Sequence, residues 1–555
     1  MRKNNFRNGF SERVFYNKYA HGPSDTWWNL CWRLVDDVCG HNQGKRDPLL
    51  SKTERDELVE AIYRFKFLPG GRYLYYAGRP AHFWNNCYLL RAEEDTREEW
   101  GSLCKRASDS LMSGGGIGVD YSRLREAGVA LRRTGGLSSG PIPLMQSINE
   151  IGRNVMQGGS RRSAIYASLD REHGDIWDYL RVKNWHEINI KDGYTVADAK
   201  ADNFNFPAPL DMTNISVNYN DTWLNLENRE NDDVFIANVR QALSTGEPGF
   251  SFNFGDKQNE TLRNACTEVT SCDDSDVCNL GSINLGRIDS LDELRDLVGL
   301  ATRFLLCGTL RAELPYEKVY EVRAKNRRLG LGLMGIHEWL LKRNSRYEVT
   351  PELHEWLKVY ETESDNISRK FADWLGVSVP VANRAIAPTG SIGILAGTTT
   401  GIEPLFAVAY KRRYLTEGTK WKYEFVVDST AEIFIEEYAI DPDTIETASD
   451  LANDPERRIR FQADIQDYVD MSISSTINLP AWGSRGNDDS FVGGFASVLS
   501  AYAPRLRGFT CYPDGSRGGQ PLTVVSYKEA LKHKDVVYTE HDICDITGHG
   551  GTCGV

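Results

Sequence analysis

The chain has no continuous apolar stretch near the ~18 residues that a membrane-spanning helix needs. The longest candidate, 392–410, is interrupted by glycines, threonines and Glu403. Residues 1–15 are basic and polar, without the apolar segment of a secretory signal. A basic surplus is also missing. The 65 Lys and Arg are outnumbered by 78 Asp and Glu, for a net charge of -13. That balance argues against a nucleic-acid polymer as the main partner. It still permits a mononucleotide, whose phosphates a few backbone N–H groups can hold. The 11 cysteines are odd in number and scattered over 555 residues, which excludes a small disulfide scaffold. Each is then either a buried small hydrophobe or a reactive thiol. No repeat of solenoid period is present. A cytoplasmic protein without a membrane anchor is expected.

What is there is an ordinary globular mix, 41% hydrophobic and 26% charged, long enough for a large core. Residues 1–66 read as helical. Ser24-Asp25 is the expected N-cap of a helix carrying Trp27, Leu30, Cys31, Leu34 and Val35 at helical spacing, and a second helix follows Asp47-Pro48. From 67 onward short apolar runs alternate with helical patterns and Gly-rich turns, which predicts an α/β architecture with parallel strands. Residues 190–232 and 440–458 are polar and acidic and read as surface insertions or loops. From Ser526 apolar periodicity fades, and 526–555 reads as a flexible tail. The division is therefore a helical region 1–66, a barrel 67–525 and the tail.

The chemistry-bearing segment is Asn264-Ala-Cys266-Thr-Glu268, with Cys278 twelve residues beyond Cys266 and Cys87 far upstream beside Asn86. An N-x-C-x-E segment alone is a weak signal. It is joined, in order, by Phe67-Leu-Pro-Gly-Gly-Arg72, the Gly-rich run from Ser113 to Arg125, Leu329-Gly-Leu-Gly-Leu-Met-Gly335, Ala387-Pro-Thr-Gly-Ser-Ile392 and Gly401-Ile-Glu-Pro404. Together these resemble the catalytic subunits of ribonucleotide reductases over most of 67–520.

The resemblance implies a ten-stranded α/β barrel of two five-stranded parallel halves, with a central finger loop that carries a radical cysteine. Cys266 takes that role: a thiyl radical removes the 3′-hydrogen of a ribonucleotide, which activates loss of the 2′-hydroxyl. Glu268 is the general base for the 3′-hydroxyl, and Asn264 orients the hydroxyls. Cys87 and Cys278 supply two electrons and close to a disulfide. Cys544 and Cys553, in the Gly-rich tail, suit a dithiol that reopens it and is reloaded by a thioredoxin- or glutaredoxin-type reductant. Eight residues separate them, more than the family's usual tight pair. Asn86, Gly115 and Gly116, with Thr389, Gly390, Ser391 and Ile392, are the expected substrate-binding positions. The last four offer hydroxyls and N–H groups near a helix start. Met156-Gln157-Gly-Gly-Ser-Arg161 resembles the specificity loop that reports a bound effector nucleotide, with Arg161 nearest the substrate.

Family members differ in their radical source. Class I subunits use two adjacent tyrosines to receive it from a separate metalloprotein. Here the matching segment is Cys511-Tyr512, with one tyrosine. The surrounding residues resemble class II enzymes, which use adenosylcobalamin, so that cofactor is expected and no protein-bound metal site. An Asp-x-His-x-x-Gly cobalamin motif is absent, which class II members do not require. A class I large subunit is the alternative, and a non-catalytic nucleotide-binding protein on the same fold is the remote one. No ATP-cone segment is found, so overall ATP/dATP control is expected to be missing. Substrate phosphate number, and monomer against homodimer, stay open.

Overall fold

The computed structural model describes residues 4–40, 48–132, 135–155, 163–203, 205–416, 420–516, 522–534 and 536–539. Three helices, Gly9–Lys18, Trp27–Cys39 and Lys52–Tyr63, precede the sheet. Trp27, Leu30, Cys31, Leu34 and Val35 are fully buried. The second helix is capped by Thr26, whose hydroxyl accepts from the Asn29 N–H. Ser24-Asp25 is not the cap: Asp25 is drawn into a bidentate pair with Arg33. The third helix starts at a capping box of Ser51 and Glu54 rather than directly after Pro48. The first helix docks on the helix Gly390–Ala396. The Ser11 hydroxyl donates to the Ile394 carbonyl at 2.6 Å, Lys18 to the Ser391 hydroxyl at 3.1 Å, and Arg7 to the Gly397 carbonyl at 2.8 Å.

The strands, in chain order, are β1 (Phe67–Pro69), β2 (Cys87–Arg91), β3 (Gly116–Asp120), β4 (Ile165–Asp170), the small hairpin β5 (Asn189–Lys191) and β6 (Tyr194–Thr195), β7 (Thr213–Tyr219) and β8 (Gly249–Phe252). A second small hairpin, β9 (Leu262–Arg263) and β10 (Thr270–Ser271), precedes β11 (Asp276–Asn284) and β12 (Leu329–Met334). Then come β13 (Ala409–Thr416), β14 (Lys420–Val427), β15 (Thr476–Leu479), β16 (Gly508–Pro513), β17 (Leu522–Val524) and β18 (Val537–Thr539). The main sheet has ten strands. β2, β3, β4, β7 and β8 run parallel, joined by crossovers that include the helices Arg97–Met112, Ile142–Asn154 and Asp233–Thr245. At each end of this half the direction reverses: β11 is antiparallel to β2, and β16 to β8. β12 is parallel to β11 and β15 parallel to β16. Single parallel bridges join Leu331 to Arg384 and Ile386 to Ile473. The protein is thus of mixed α/β type with one large sheet.

Side chains alternate between the two faces of the strands. One face packs on the helices in a large core that includes Tyr88, Leu90, Ile215, Val217 and Phe509. The other face carries a separate small apolar cluster of Cys87, Leu89, Leu262, Val269, Cys278, Leu280, Ala385 and Met471. The reading of 190–232 as a surface insertion fails at β7. Its polar alternation is that of a strand buried on both faces, with Asn218 donating to Asp120 and Ser168. In 440–458 likewise, Arg458 is buried. The tail reading also needs correction. Strand β18 belongs to a four-stranded antiparallel sheet, β17-β13-β14-β18, and the helix Tyr527–Lys532 packs on that sheet through Ala530 against Phe425 and Val427; 540–555 lie outside the described residues. Among the described residues no helix is long and apolar enough to cross a membrane.

Candidate active site

The hairpin β9–β10 projects its tip, 264–269, against the face of the sheet that carries Cys87 and Cys278. Two glycines make room for it. A Cβ on Gly118 would collide with the Arg263 carbonyl, and one on Gly116 would meet Ala265 Cβ at 3.0 Å. Gly115 instead leaves space for the Tyr88 ring. Gly116 therefore clears space for the loop itself, and Gly118, in the same run, does so more stringently. Only the strand pairing reveals that role. The tip is a tight turn in which the Thr267 N–H donates to the Asn264 carbonyl at 3.0 Å and Thr267 has φ +69. A β-branched residue seldom adopts this conformation, and such strain collects at functional sites. The Asn214 amide donates to the Ala265 carbonyl at 3.5 Å, and the Ser472 N–H to the Glu268 carbonyl at 2.9 Å. Neither Asn214 nor Ser472 carries a sequence signal.

Cys266 is the one exposed residue between Leu262 and Thr270; Asn264, Ala265 and Glu268 around it are buried. Asn264 clamps the turn through its side-chain carbonyl, which accepts from the Val269 N–H at 2.9 Å, and its amide donates to Cys87 Sγ at 3.0 Å. The Cys87 thiol lies 3.9 Å from Glu268 Oε1. Burial pushes the Glu268 carboxyl up to about 7, against the opposing pull of hydrogen bonds from Asn264, its own backbone and Cys87. Glu268 Oε2 and Asn86 Oδ1 are buried with no hydrogen-bond partner among the described residues, an expense tolerated where a ligand completes the set.

Cys87 and Cys278 are direct partners in the antiparallel β2–β11 pairing. Opposed residues in such a pair lie about 4.5–5.5 Å apart at Cα, within the span of a disulfide. Burial holds both thiols well above their ordinary range. For Cys87 the Glu268 charge adds to that effect, and for Cys278 Arg328 opposes it. Both are therefore protonated near neutrality.

Of the four residues Thr389 to Ile392, two face outward. Thr389, at φ +49, precedes the helix and accepts from the Gly401 N–H at 2.8 Å through its hydroxyl. Ile392 turns its side chain into the core, leaving only its backbone for a ligand. Gly390 is exposed and Ser391 half-buried. Gln157, Arg161, Cys544 and Cys553 lie outside the described residues.

Along β16 the residues divide between faces. Gly508 faces the loop, where an added Cβ would lie 4.0 Å from Thr267 Oγ1. Four residues on, about 13 Å at strand rise, Tyr512 lines a cavity of about 970 Å³ between β15, β16 and the four-stranded sheet. Its walls mix hydroxyl and amide groups (Thr400, Thr476, Asn478) with aromatics (Phe406, Tyr410). Cys511 points the other way. It is 3% exposed in the helix-side core, its thiol donates to the Ala242 carbonyl at 3.5 Å, and burial pushes it up to about 12. No cluster of His, Cys, Asp and Glu suited to a metal occurs among the described residues.

Comparison with known proteins adds context. A family model described as ribonucleotide reductase, barrel domain, matches residues 85–354 and 382–503. Among curated proteins, the chain is 27% identical to a vitamin B12-dependent ribonucleoside-diphosphate reductase of Mycobacterium tuberculosis, over 95% of this chain and 80% of that one. It is 26% identical to a protein of the same name from Thermoplasma acidophilum, over 84% of this chain and 66% of the relative. It is also 26% identical to a putative adenosylcobalamin-dependent ribonucleoside-triphosphate reductase of Mycobacterium phage D29, over 78% and 71%.

Proposed function

Because this chain belongs to the ribonucleotide reductase family through its barrel domain, we propose that it reduces ribonucleotides to 2′-deoxyribonucleotides by thiyl-radical chemistry, with adenosylcobalamin as the radical source. The observation that carries this reading is the finger tip: one exposed thiol, Cys266, beside a buried carboxyl, with two opposed thiols next to them. The ten strand positions are read as a closed barrel around this loop. Supporting it, the bridges through Arg384–Ile386 and Ile473 span the gap between β12 and β15, and Ala385 and Met471 pack in the same inner cluster as Cys87 and Cys278.

In the proposed reaction the Cys266 sulfur takes the hydrogen from the 3′ carbon. Glu268 accepts the 3′-hydroxyl proton; its position near 7 suits proton exchange at neutral pH. The 2′-hydroxyl leaves as water, taking a proton from the neutral Cys87 thiol. The Cys278 thiol gives a hydrogen atom to the 2′ carbon, and its sulfur bonds to the Cys87 thiolate; the electron this S–S bond releases, with the proton held by Glu268, reduces the 3′ ketone, and Cys266 returns its hydrogen to the 3′ carbon and is again a thiyl radical. Gly390 and Ser391, with Lys18 beside them, receive the phosphates. Cys544 and Cys553 reopen the disulfide and are reloaded by a thioredoxin- or glutaredoxin-type protein. Gln157 and Arg161 read the effector nucleotide.

For the cofactor, the residues present fit. The 970 Å³ cavity meets a bulky ring bearing many amides with hydroxyls, amides and aromatic faces, and Tyr512 lies on the inner face of β16 that leads to the finger loop. When bound, the group supplies a homolysed carbon–cobalt bond, the oxidising equivalent for Cys266. The lone Tyr512 and the outward Cys511 favour this over a tandem-tyrosine relay. The test is an assay of the purified chain alone with adenosylcobalamin, a ribonucleoside di- or triphosphate and a dithiol. Deoxynucleotide formation is expected. Activity that appears only on adding a metal-loaded second subunit would replace the cofactor reading, and no product under either condition would remove the enzymatic one.

A further inference from the structure

At the root of the tip that carries Cys266, the structure gathers four cations that the proposed reaction does not use. Arg263 ends β9, Arg328 precedes β12, Arg507 precedes β16, and Lys257 lies in the segment after β8. The three arginines are 1%, 4% and 8% exposed. Each is partly held. Arg263 donates to Ser251 Oγ at 2.8 Å and Asn253 Oδ1 at 2.9 Å; Arg328 donates to Asp276 Oδ2 at 2.7 Å; Arg507 donates to Glu260 Oε2 at 3.0 Å. Yet Nη1 of all three is buried with no hydrogen-bond partner among the described residues. Unmet buried guanidinium N–H groups are costly, and Arg507 is close enough to both Arg263 and Arg328 to feel their charge.

The charge count has the same sense. Among the described residues, only Asp276 and Glu260 form ion pairs with these cations. Asp470 is spent on Arg384 at 2.7 Å, although Lys257 donates to its backbone carbonyl. Asp120 accepts from Thr261, Ser122 and Asn218. With Arg384 and its two partners Asp365 and Asp470 included, five cations face four carboxylates, so positive charge is in excess. The groups sense one another. Burial would raise the Glu260 carboxyl, but Arg507, Arg328, the Thr270 hydroxyl and Lys257 hold it below its usual range. Burial and Arg507 together pull Arg263 down to about 9. Lys257 and Glu260 are half-buried, which puts one edge of the cluster at the solvent.

We propose that this cluster binds a small oxyanion of the phosphate class, cradled by Arg263, Arg328, Arg507 and Lys257. Guanidinium forks match tetrahedral oxyanions in geometry and charge. Because Arg263 adjoins Asn264, the occupant braces the root of the loop that carries Cys266.

The test is calorimetric titration of inorganic phosphate into the full chain at low ionic strength, with thermal unfolding followed in parallel. One saturable site is expected, with a rise in Tm as it fills. Lys257→Gln, at the half-exposed edge, should weaken it about tenfold, and Arg507→Gln by about a hundredfold, as loss of charged hydrogen bonds predicts. Lys105→Gln, on an exposed helix face, should leave it unchanged. Should Arg507→Gln fail to fold, Lys257→Gln decides. The proposal is overturned if phosphate shows no saturable binding, or if Lys257→Gln binds it as the unaltered chain does. It also fails if Ser391→Ala, rather than Lys257→Gln, is the change that weakens binding, since phosphate would then sit at the nucleotide loop.

Discussion

Two sets of cysteines are equally hidden and differ in everything else. Cys87 and Cys278 sit on the inner face of the sheet, and Cys31, Cys39, Cys307 and Cys511 in the helix-side core; all are 3% exposed or less. Burial raises the thiol of Cys511 as it raises those of Cys87 and Cys278, so protonation does not separate them. Neighbours do. Cys87 has a carboxyl, an amide and an opposed thiol within reach, whereas Cys511 meets a backbone carbonyl and apolar side chains. The lesson is that for a thiol buried on a strand, the strand face, a matter of odd or even position, decides whether its neighbours are polar groups or a packed apolar core.

Substitutions can break or sharpen this contrast. The largest effect belongs to Cys266→Ser, expected to lower deoxynucleotide formation by at least about 10⁴-fold while nucleotide affinity stays near its original value, because a serine O–H is too strong for the radical exchange. Product formation above that floor, measured by chromatography of a steady-state assay, would remove Cys266 from the centre of the reaction. Next are Cys87→Ser and Cys278→Ser, each expected to cut multiple turnover by about 10³-fold. If Cys511→Ser did the same, the inner and outer thiols would not differ as argued.

Glu268→Gln should cost about 10²–10³-fold in kcat/KM. In the unaltered protein kcat/KM should rise with pH up to about 7 and level off above, following ionisation of Glu268. The same group predicts a stability signature. In the fold it sits at about 7, above the 4.5 of an ordinary glutamate. The neutral form therefore favours the fold, and that stability is complete below 4.5 and lost as pH rises through 7. The change amounts to roughly 3 kcal/mol. Thermal unfolding of Glu268→Gln across this window should lack that slope; an unaltered slope would assign it to other groups. The smallest effect is expected of Cys511→Val, within about 1.5 kcal/mol in stability and with turnover unchanged. A large loss of turnover with the fold intact, seen by comparing circular dichroism with activity, would give Cys511 a part in the radical path.

The chemistry-bearing residues were the legible part of the sequence. Asn264, Cys266 and Glu268 stand in a short segment, and Cys87 and Cys278 in flanking motifs, because reactive side chains are few and their spacing is distinctive. Their juxtaposition was not legible, since the opposition of Cys87 and Cys278 depends on the register between strands far apart in the chain. β7 was misread as a surface segment because hydrophobicity marks burial only where the buried surroundings are apolar. Asn218 is buried among polar groups, where its amide donates to Asp120 and Ser168. The stretch 527–539 was misread for a related reason: β18 is short and its stability comes from pairing with β14, over a hundred residues upstream. Gly118 illustrates a third limit, for the atom it makes room for is a backbone carbonyl that no side-chain pattern records.

The docking of the first helix on Gly390–Ala396 has a practical side. Ser11, Lys18 and Arg7 tie residues near the front of the chain to the loop proposed to hold the substrate phosphates. A fusion partner or affinity handle attached there pulls on a load already borne by the nucleotide end of the site, much as a weight hung on a door handle works the latch. Preparations carrying such an attachment should show a raised KM with kcat little changed, and cleaving it off should restore the lower value.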